Sequence, residues 1–300
     1  MMTTTRRAFL HTTLAGVAAA AGSSALPALA SQGAAGSLRH PLTGAVGLQL
    51  YSLRHIFQKG DVHGTLAMVR QWGFTDVEVA GFYDLAPADY VAALKKAGLR
   101  AASIGGGYEQ LRDDADGVIR NAQAVGANYV MTAWIPHERP FSRDVAQRAA
   151  EHFNEWGRKL KDAGLRFAYH VHGYEFQPGA DGTLFDLIAK NTDPAMVAFE
   201  MDVFWVARGG GDPAALFRTY PGRFPLTHLK DIRKGTLLCD PTGTEPDETS
   251  VVLGQGMIDW PGVLAEANRQ GTRYHFIEDE HPEAEKQIPD SLRYLASLKL

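Results

Sequence analysis

Four short apolar runs in this chain end in paired polar residues: Tyr169-His170-Val171-His172, Glu200-Met201-Asp202, His228-Leu229-Lys230 and Glu278-Asp279-Glu280. In each run two polar residues are spaced by two, so in an extended strand both face the same way. Four such endings are hard to attribute to solvation, because a buried charge is costly unless it is paired or bound to a cation. Imidazole nitrogens together with carboxylate oxygens suit Mn, Co, Fe, Zn or Ni, with coordination positions left over for a substrate. One divalent ion is therefore the expected cofactor, and the imidazoles disfavour magnesium.

Positioning these residues requires strands that end at a common rim. Eight β-rich runs recur, at Val46-Leu50, Asp76-Ala80, Leu99-Ile104, Asn128-Thr132, Leu165-Val171, Val197-Val203, Pro225-Lys230 and Tyr274-Asp279. Between them, helical apolar spacing predicts helices over Val62–Trp72, Ala88–Ala97, Val118–Val125, Val145–Ala163 and Trp260–Ala267. Gly73, Gly98, Gly126, Gly164 and Gly271 follow helical runs just before the next strand, where a left-handed cap is expected. Regular alternation of this kind predicts parallel strands, and eight units close most readily into an α/β fold, the (β/α)8 TIM barrel. No GxGxxG follows the first run, which counts against a dinucleotide-binding sheet.

Composition agrees with one large globular domain over residues 45–300: of 300 residues, 45% are hydrophobic and 21% charged. With 30 basic against 34 acidic residues and a net charge of -4, the chain carries no footprint for a polyanion, so nucleic acid is not an expected partner. Cys239 is the only cysteine, so no internal disulfide can form, and a loop thiol is its plain reading. At the N-terminus, Thr5-Arg6-Arg7-Ala8-Phe9-Leu10, a weakly apolar run from Thr12 to Ala25 and Ala28-Leu29-Ala30 resemble a twin-arginine export signal over residues 1–30, cut after Ala30. That reading predicts a periplasmic or otherwise exported protein, with a flexible lead over residues 31–44. The apolar run is too short and too rich in Ala and Gly for a permanent membrane anchor.

The stretches Val46-Gly47-Leu48-Gln49-Leu50-Tyr51-Ser52-Leu53-Arg54, Tyr169–Phe176, Glu200-Met201-Asp202-Val203-Phe204-Trp205, His228-Leu229-Lys230-Asp231 and Leu253-Gly254-Gln255-Gly256-Met257-Ile258-Asp259-Trp260 resemble the sugar phosphate isomerase/epimerase family. The resemblance runs from about Val46 to the C-terminus and implies the xylose isomerase-like barrel. Members of that family include tagatose epimerases, inosose dehydratases and keto-glycoside lyases, while apurinic endonucleases share the fold. Carried over by motif, the implied metal ligands are Asp202, His228 and Glu278, with the first ligand position falling on His170. A glutamate is common there in the epimerases, where it is also one of two acid/base groups. Its replacement speaks against a symmetrical two-glutamate mechanism.

The implied activity is metal-dependent isomerisation, epimerisation or lyase chemistry by proton abstraction beside a carbonyl, on a non-phosphorylated sugar or keto-glycoside. Glu278 or His172 is the expected base, with Glu175 or Lys230 returning a proton or holding a hydroxyl. Tyr51, Tyr108, Trp134 and Trp205 are aromatic residues expected near the mouth, and Glu280 is grouped with the sugar-binding residues. Gly209-Gly210-Gly211-Asp212-Pro213 reads as a loop and helix start rather than a phosphate cradle. His55, His63, His137, His152 and His281 are expected at the surface, and His275, of opposite parity to Glu278, toward the helices. The long segment Lys234–Val252 is a candidate lid or homo-oligomer contact. The competing reading is a non-catalytic sugar-binding or accessory barrel subunit; a metal-dependent endonuclease is disfavoured by the acidic balance and the export signal.

Overall fold

A computed structural model describes residues 40–179 and 182–300. The expected signal and residues 31–39 of the expected lead lie outside the described residues. Residues 40–44 fall inside them and are held: the Thr43 amide donates to Asn268 Oδ1 at 2.9 Å, Asn268 Nδ2 donates to the Pro41 carbonyl at 3.1 Å, and Leu42 is buried. Among the described residues no helix is long and apolar enough to cross a membrane.

Eight parallel strands form one closed barrel: β1 Ala45–Gln49, β2 Asp76–Val79, β3 Arg100–Gly105, β4 Tyr129–Thr132, β5 Arg166–His170, β6 Val197–Asp202, β7 Leu226–Leu229 and β8 Tyr274–Ile277. Neighbours around the ring run β1-β8-β7-β6-β5-β4-β3-β2, and each strand lies within one or two residues of its sequence-predicted span at either end. The helices close over the outside. The Arg143–Asp162 helix is capped by Ser142 and turns Phe153 and Trp156 onto Phe167 and Tyr169 of β5. The helices ending at Ala97 and Val125 are capped by Gly98 and Gly126 at φ 72° and 73°, a conformation in which any Cβ is strained. Asp212 caps the Pro213–Thr219 helix by accepting from the Ala215 amide at 3.0 Å, with Pro213 in its first turn, as the sequence predicts.

The helix before β4 starts ten residues earlier than its apolar spacing predicts, at Tyr108 instead of Val118, with a non-helical break at Asp114 (φ −147°). The buried residues Leu111, Ala115, Val118, Ile119 and Ala122 keep helical spacing across that break, and the charged stretch Arg112-Asp113-Asp114 hides the first turns from the apolar pattern.

Inside the barrel, Ala102, Tyr129, Ala168, Ala198, Leu226 and Phe276 pack as an apolar plug. Two residues further along the same strands come His170, Glu200, His228 and Glu278, all buried. The period of two thus stacks a polar layer directly on the apolar one. Register places Asp202 beside His228 and His170 beside Glu200.

The Leu253–Trp260 motif is held by Asp231. Its buried carboxylate accepts from the amides of Ile232, Gly254, Gly256 and Ile258 and from Trp260 Nε1, at 2.8 to 3.2 Å. Residues 234–252 fold back over the rim: Asp247 accepts from Arg54 at 2.5 Å, Asp240 from Arg208 at 2.6 Å, and Ser250–Val251 pair antiparallel with Asp231–Ile232.

Candidate metal centre

His170, Asp202, His228 and Glu278 end β5 to β8 and each offers one ligand atom within 4.8 Å of the others. His170 Nε2 lies 3.2 Å from Asp202 Oδ2; His228 Nδ1 lies 3.8 Å from the same oxygen and 3.2 Å from Glu278 Oε2. Asp202 divides its work. Oδ1 caps the Val203–Arg208 helix by accepting from the Trp205 amide at 2.9 Å, which leaves Oδ2 turned to the centre. Burial would push its carboxyl up, but the hydrogen bond from His170 and the nearby His228 imidazole and Lys230 ammonium outweigh burial and hold it far below the usual carboxylate range. Burial likewise favours neutral His228, and the carboxylates of Glu200, Glu278 and Glu78 overcome it and raise the imidazole well above its ordinary value.

The donor set fits a divalent transition ion. It provides two imidazoles and two carboxylates, and His228 Nδ1 is buried without a hydrogen-bond partner although two carboxylates face it. Close packing of four ionisable groups with no bound charge is otherwise expensive.

Above this layer stands the mouth. His172, two residues beyond His170, stacks on Trp205 with ring centroids 4.7 Å apart and meets the edge of Trp134 at 5.3 Å. Lys230 Nζ ion-pairs with Glu280, lies 3.8 Å from Glu278 Oε2 and sits over the Phe204 and Trp205 rings at 4.8 and 5.2 Å. Burial opposes its charge, but Glu280, Glu278 and Asp202 together keep it an ammonium, its pKa raised above the ordinary lysine value. Tyr51 carries the Arg54 guanidinium 4.4 Å from its ring centroid, and Arg54 reaches Asp247 and, at 3.9 Å, Glu280. Phe204, Trp205, Lys230, Glu245, Asp247 and Glu280 line a narrow cleft at this mouth.

Two sequence-predicted residues stand elsewhere. Glu175 follows a turn at Gly173 (φ 90°) that carries the chain off the strand direction, and it is wholly buried behind the rim. Its Oε1 accepts from the His172 amide at 2.9 Å and from the Tyr169 hydroxyl, and Tyr169 itself packs on Phe153 of the helix layer. Burial raises this carboxyl to about 7 against the opposing hydrogen bond from Tyr169. Tyr108 opens its helix and packs edge-on against Trp156, its hydroxyl 2.7 Å from His152 Nδ1, in the helix layer rather than at the mouth. His275 faces the helices as its parity predicts, bonded at 2.9 Å to Thr227, and burial drives its imidazole down to about 3.

Sequence reasoning gave Glu200 no role and missed Glu78 and Gln49, which lie below the centre. Glu78 of β2 lies 2.7 Å from His228 Nε2, Glu200 Oε2 lies 3.3 Å from the same nitrogen, and Gln49 of β1 donates to Glu78 at 2.5 Å. The available signal was Asp76-Val77-Glu78, a second acid at the same parity as the first in the run Asp76–Ala80.

A closed eight-stranded parallel barrel with nitrogen and carboxylate donors gathered at the carboxyl ends of β5 to β8 defines a class of site as well as a fold. A model of the xylose isomerase-like TIM barrel matches residues 66–298, and the chain belongs to that family. Over 145 residues it is 30% identical to an inosose dehydratase of Clostridium tetani, covering 45% of this chain and 48% of that protein, so the match spans about half the length of the curated relative. A sugar phosphate isomerase/epimerase from Parabacteroides distasonis superposes with a TM-score of 0.69 at 26% identity, covering 89% of this chain and 99% of that one. The structure of IOLI protein with a zinc atom superposes at 0.63 with 15% identity, over 84% and 95% of the two chains, a likeness of fold.

Proposed function

We propose that this chain is a divalent-metal-dependent enzyme that abstracts a proton beside the carbonyl of an uncharged keto-sugar or related keto-polyol and expels a β-hydroxyl as water. The observation that carries the reading is the convergence of His170, Asp202, His228 and Glu278 directly beneath an aromatic and polar mouth. A divalent ion held by these four side chains would polarise the substrate carbonyl and acidify the neighbouring C–H.

The residues of the chain divide the remaining work. His172, held between Trp205 and Trp134, or the Glu278 carboxylate takes the proton. Lys230, kept as an ammonium, holds the departing hydroxyl and gives it a proton, so the C–O bond breaks as the C=C bond forms and water leaves. Elimination is favoured over epimerisation on two grounds. Having His170 where a second glutamate would serve leaves no symmetrical pair of carboxylate bases, and the curated relative is an inosose dehydratase. An uncharged substrate follows from the cations at the mouth: Lys230 is paired with Glu280, and Arg54 with Asp247.

The test is incubation of zinc-, manganese- or cobalt-loaded protein with inososes, 3-keto-glycosides and free ketohexoses in deuterated water, followed by NMR. Loss of water to an enone is expected with at least one keto substrate, and deuterium at the α carbon marks the abstraction step. Metal-loaded protein that neither exchanges nor converts any of them would sink the proposal. We further propose export through Arg6-Arg7 and its following run; cell fractionation finding only unprocessed cytoplasmic protein would refute it.

A further inference from the structure

The imidazole of His228 has different neighbours at its two nitrogens. Nδ1 faces Glu278 and Asp202 at 3.2 and 3.8 Å, while Nε2 points down into the barrel at Glu78 Oε1, 2.7 Å away. Glu78 is itself fixed. It sits beside Gln49 in register, and its Oε1 accepts the Gln49 amide N–H at 2.5 Å. Gln49 has no freedom to turn over, because its own oxygen accepts from the Tyr51 amide at 3.0 Å. All three side chains are buried. A continuous chain of donors and acceptors thus runs from the end of β1, through β2, to a histidine on β7.

From this we infer that Glu78, braced by Gln49, is a positioning residue for His228: it accepts the ring N–H at Nε2 and so presents the Nδ1 lone pair to the ion at the rim. The inference rests on the metal-centre reading above. An imidazole that holds an ion with one nitrogen commonly donates its other N–H to a carboxylate, which fixes tautomer and ring angle and increases the basicity of the ligating nitrogen. Here the acceptor comes from a strand three places away round the barrel rather than from the neighbouring chain.

The same cluster of Glu78, Glu200 and His228 does not make a second cation site in this arrangement. Gln49 directs an N–H into it, and a His228 that donates from Nε2 has no lone pair there to give. Glu200 is the weaker neighbour: its Oε2 is 3.3 Å from Nε2, and neither oxygen makes a hydrogen bond. The geometry assigns the role to Glu78.

Zinc affinity of the full chain, measured by competition with a chromophoric chelator, and long-range ¹H–¹⁵N spectra of the zinc-loaded protein test this together. Wild type should bind one equivalent, with the His228 proton on Nε2. Glu78→Ala should weaken zinc by about 10–100-fold and change the His228 ring signals. Glu78→Gln, which keeps an acceptor but loses the charge, should lose roughly 3–10-fold and keeps the test open if the alanine variant does not fold. Glu200→Gln should stay within about threefold of wild type, since it removes no hydrogen bond to the ring. Wild-type affinity and unchanged ring signals in the Glu78 variants would overturn the inference, as would a second equivalent of zinc that Glu78→Ala abolishes. Failure of wild type to bind zinc would instead sink the metal centre beneath it.

Discussion

Replacing Glu175 by glutamine removes a charge from the barrel wall while keeping the acceptor that the His172 amide and the Tyr169 hydroxyl use. The carboxyl is wholly buried, its Oε2 has no partner, and burial raises it from an ordinary 4.5 to about 7. A folded state that holds the proton more tightly than the unfolded chain is favoured while that proton is bound. The contribution is therefore complete below pH 4.5 and is lost as pH rises through 7. Each pH unit across that window is worth about 1.4 kcal/mol, so the window carries about 3 kcal/mol. Glutamine cannot titrate, and every other group cancels when variant and wild type are compared at each pH. Urea unfolding at pH 5 and pH 8 should show wild type losing about 3 kcal/mol relative to Glu175→Gln, leaving the variant equal or more stable at pH 8. Parallel stability curves would refute the reasoning. Turnover of the variant should stay within a few-fold of wild type; a folded variant with activity down a hundredfold would put Glu175 at the substrate after all.

Other perturbations separate chemistry from scaffold. His172→Phe keeps a ring against Trp205 but removes both nitrogens; turnover should fall by about 10²–10⁴ with the ion still bound at one equivalent, and unchanged turnover would exclude His172 as the base. Lys230→Met strands buried Glu280 and Glu278 without their ammonium, so calorimetry should find a loss of about 3–5 kcal/mol together with activity; wild-type stability would contradict the buried pair. Asp231→Asn points donors at some of the five N–H groups its carboxylate now serves. It should cost about 2–4 kcal/mol and lower Tm by roughly 5–15 °C, while an unshifted Tm would deny Asp231 its anchoring role.

Periodicity made the barrel and the rim readable. Alternation along β5 to β8 places His170, Asp202, His228 and Glu278 on one inward face, and only closure of the ring is needed to bring them together. That argument ends where the strand ends: at Gly173 the chain turns, so Glu175 lies five residues beyond His170 yet behind the wall. Tyr108 is lost for a related reason, since it begins a helix whose face packs on Trp156. The layer of Gln49 and Glu78 was harder to read: Gln49 is the single polar residue of β1, Glu78 shares β2 with Asp76, which pairs with Arg100, and both strands are far in sequence from β7. Their meaning arises only when β1 and β2 curve round to meet His228.

Calorimetric titration of zinc or cobalt into chelator-stripped protein, alongside Asp202→Asn and Glu278→Gln, probes the centre most directly. One equivalent should bind to wild type, and each variant should lose more than the roughly 10–100-fold that removal of an outer-shell partner costs. Substoichiometric binding to wild type, or equal affinity in all three proteins, would contradict a metal centre at the ends of β5 to β8.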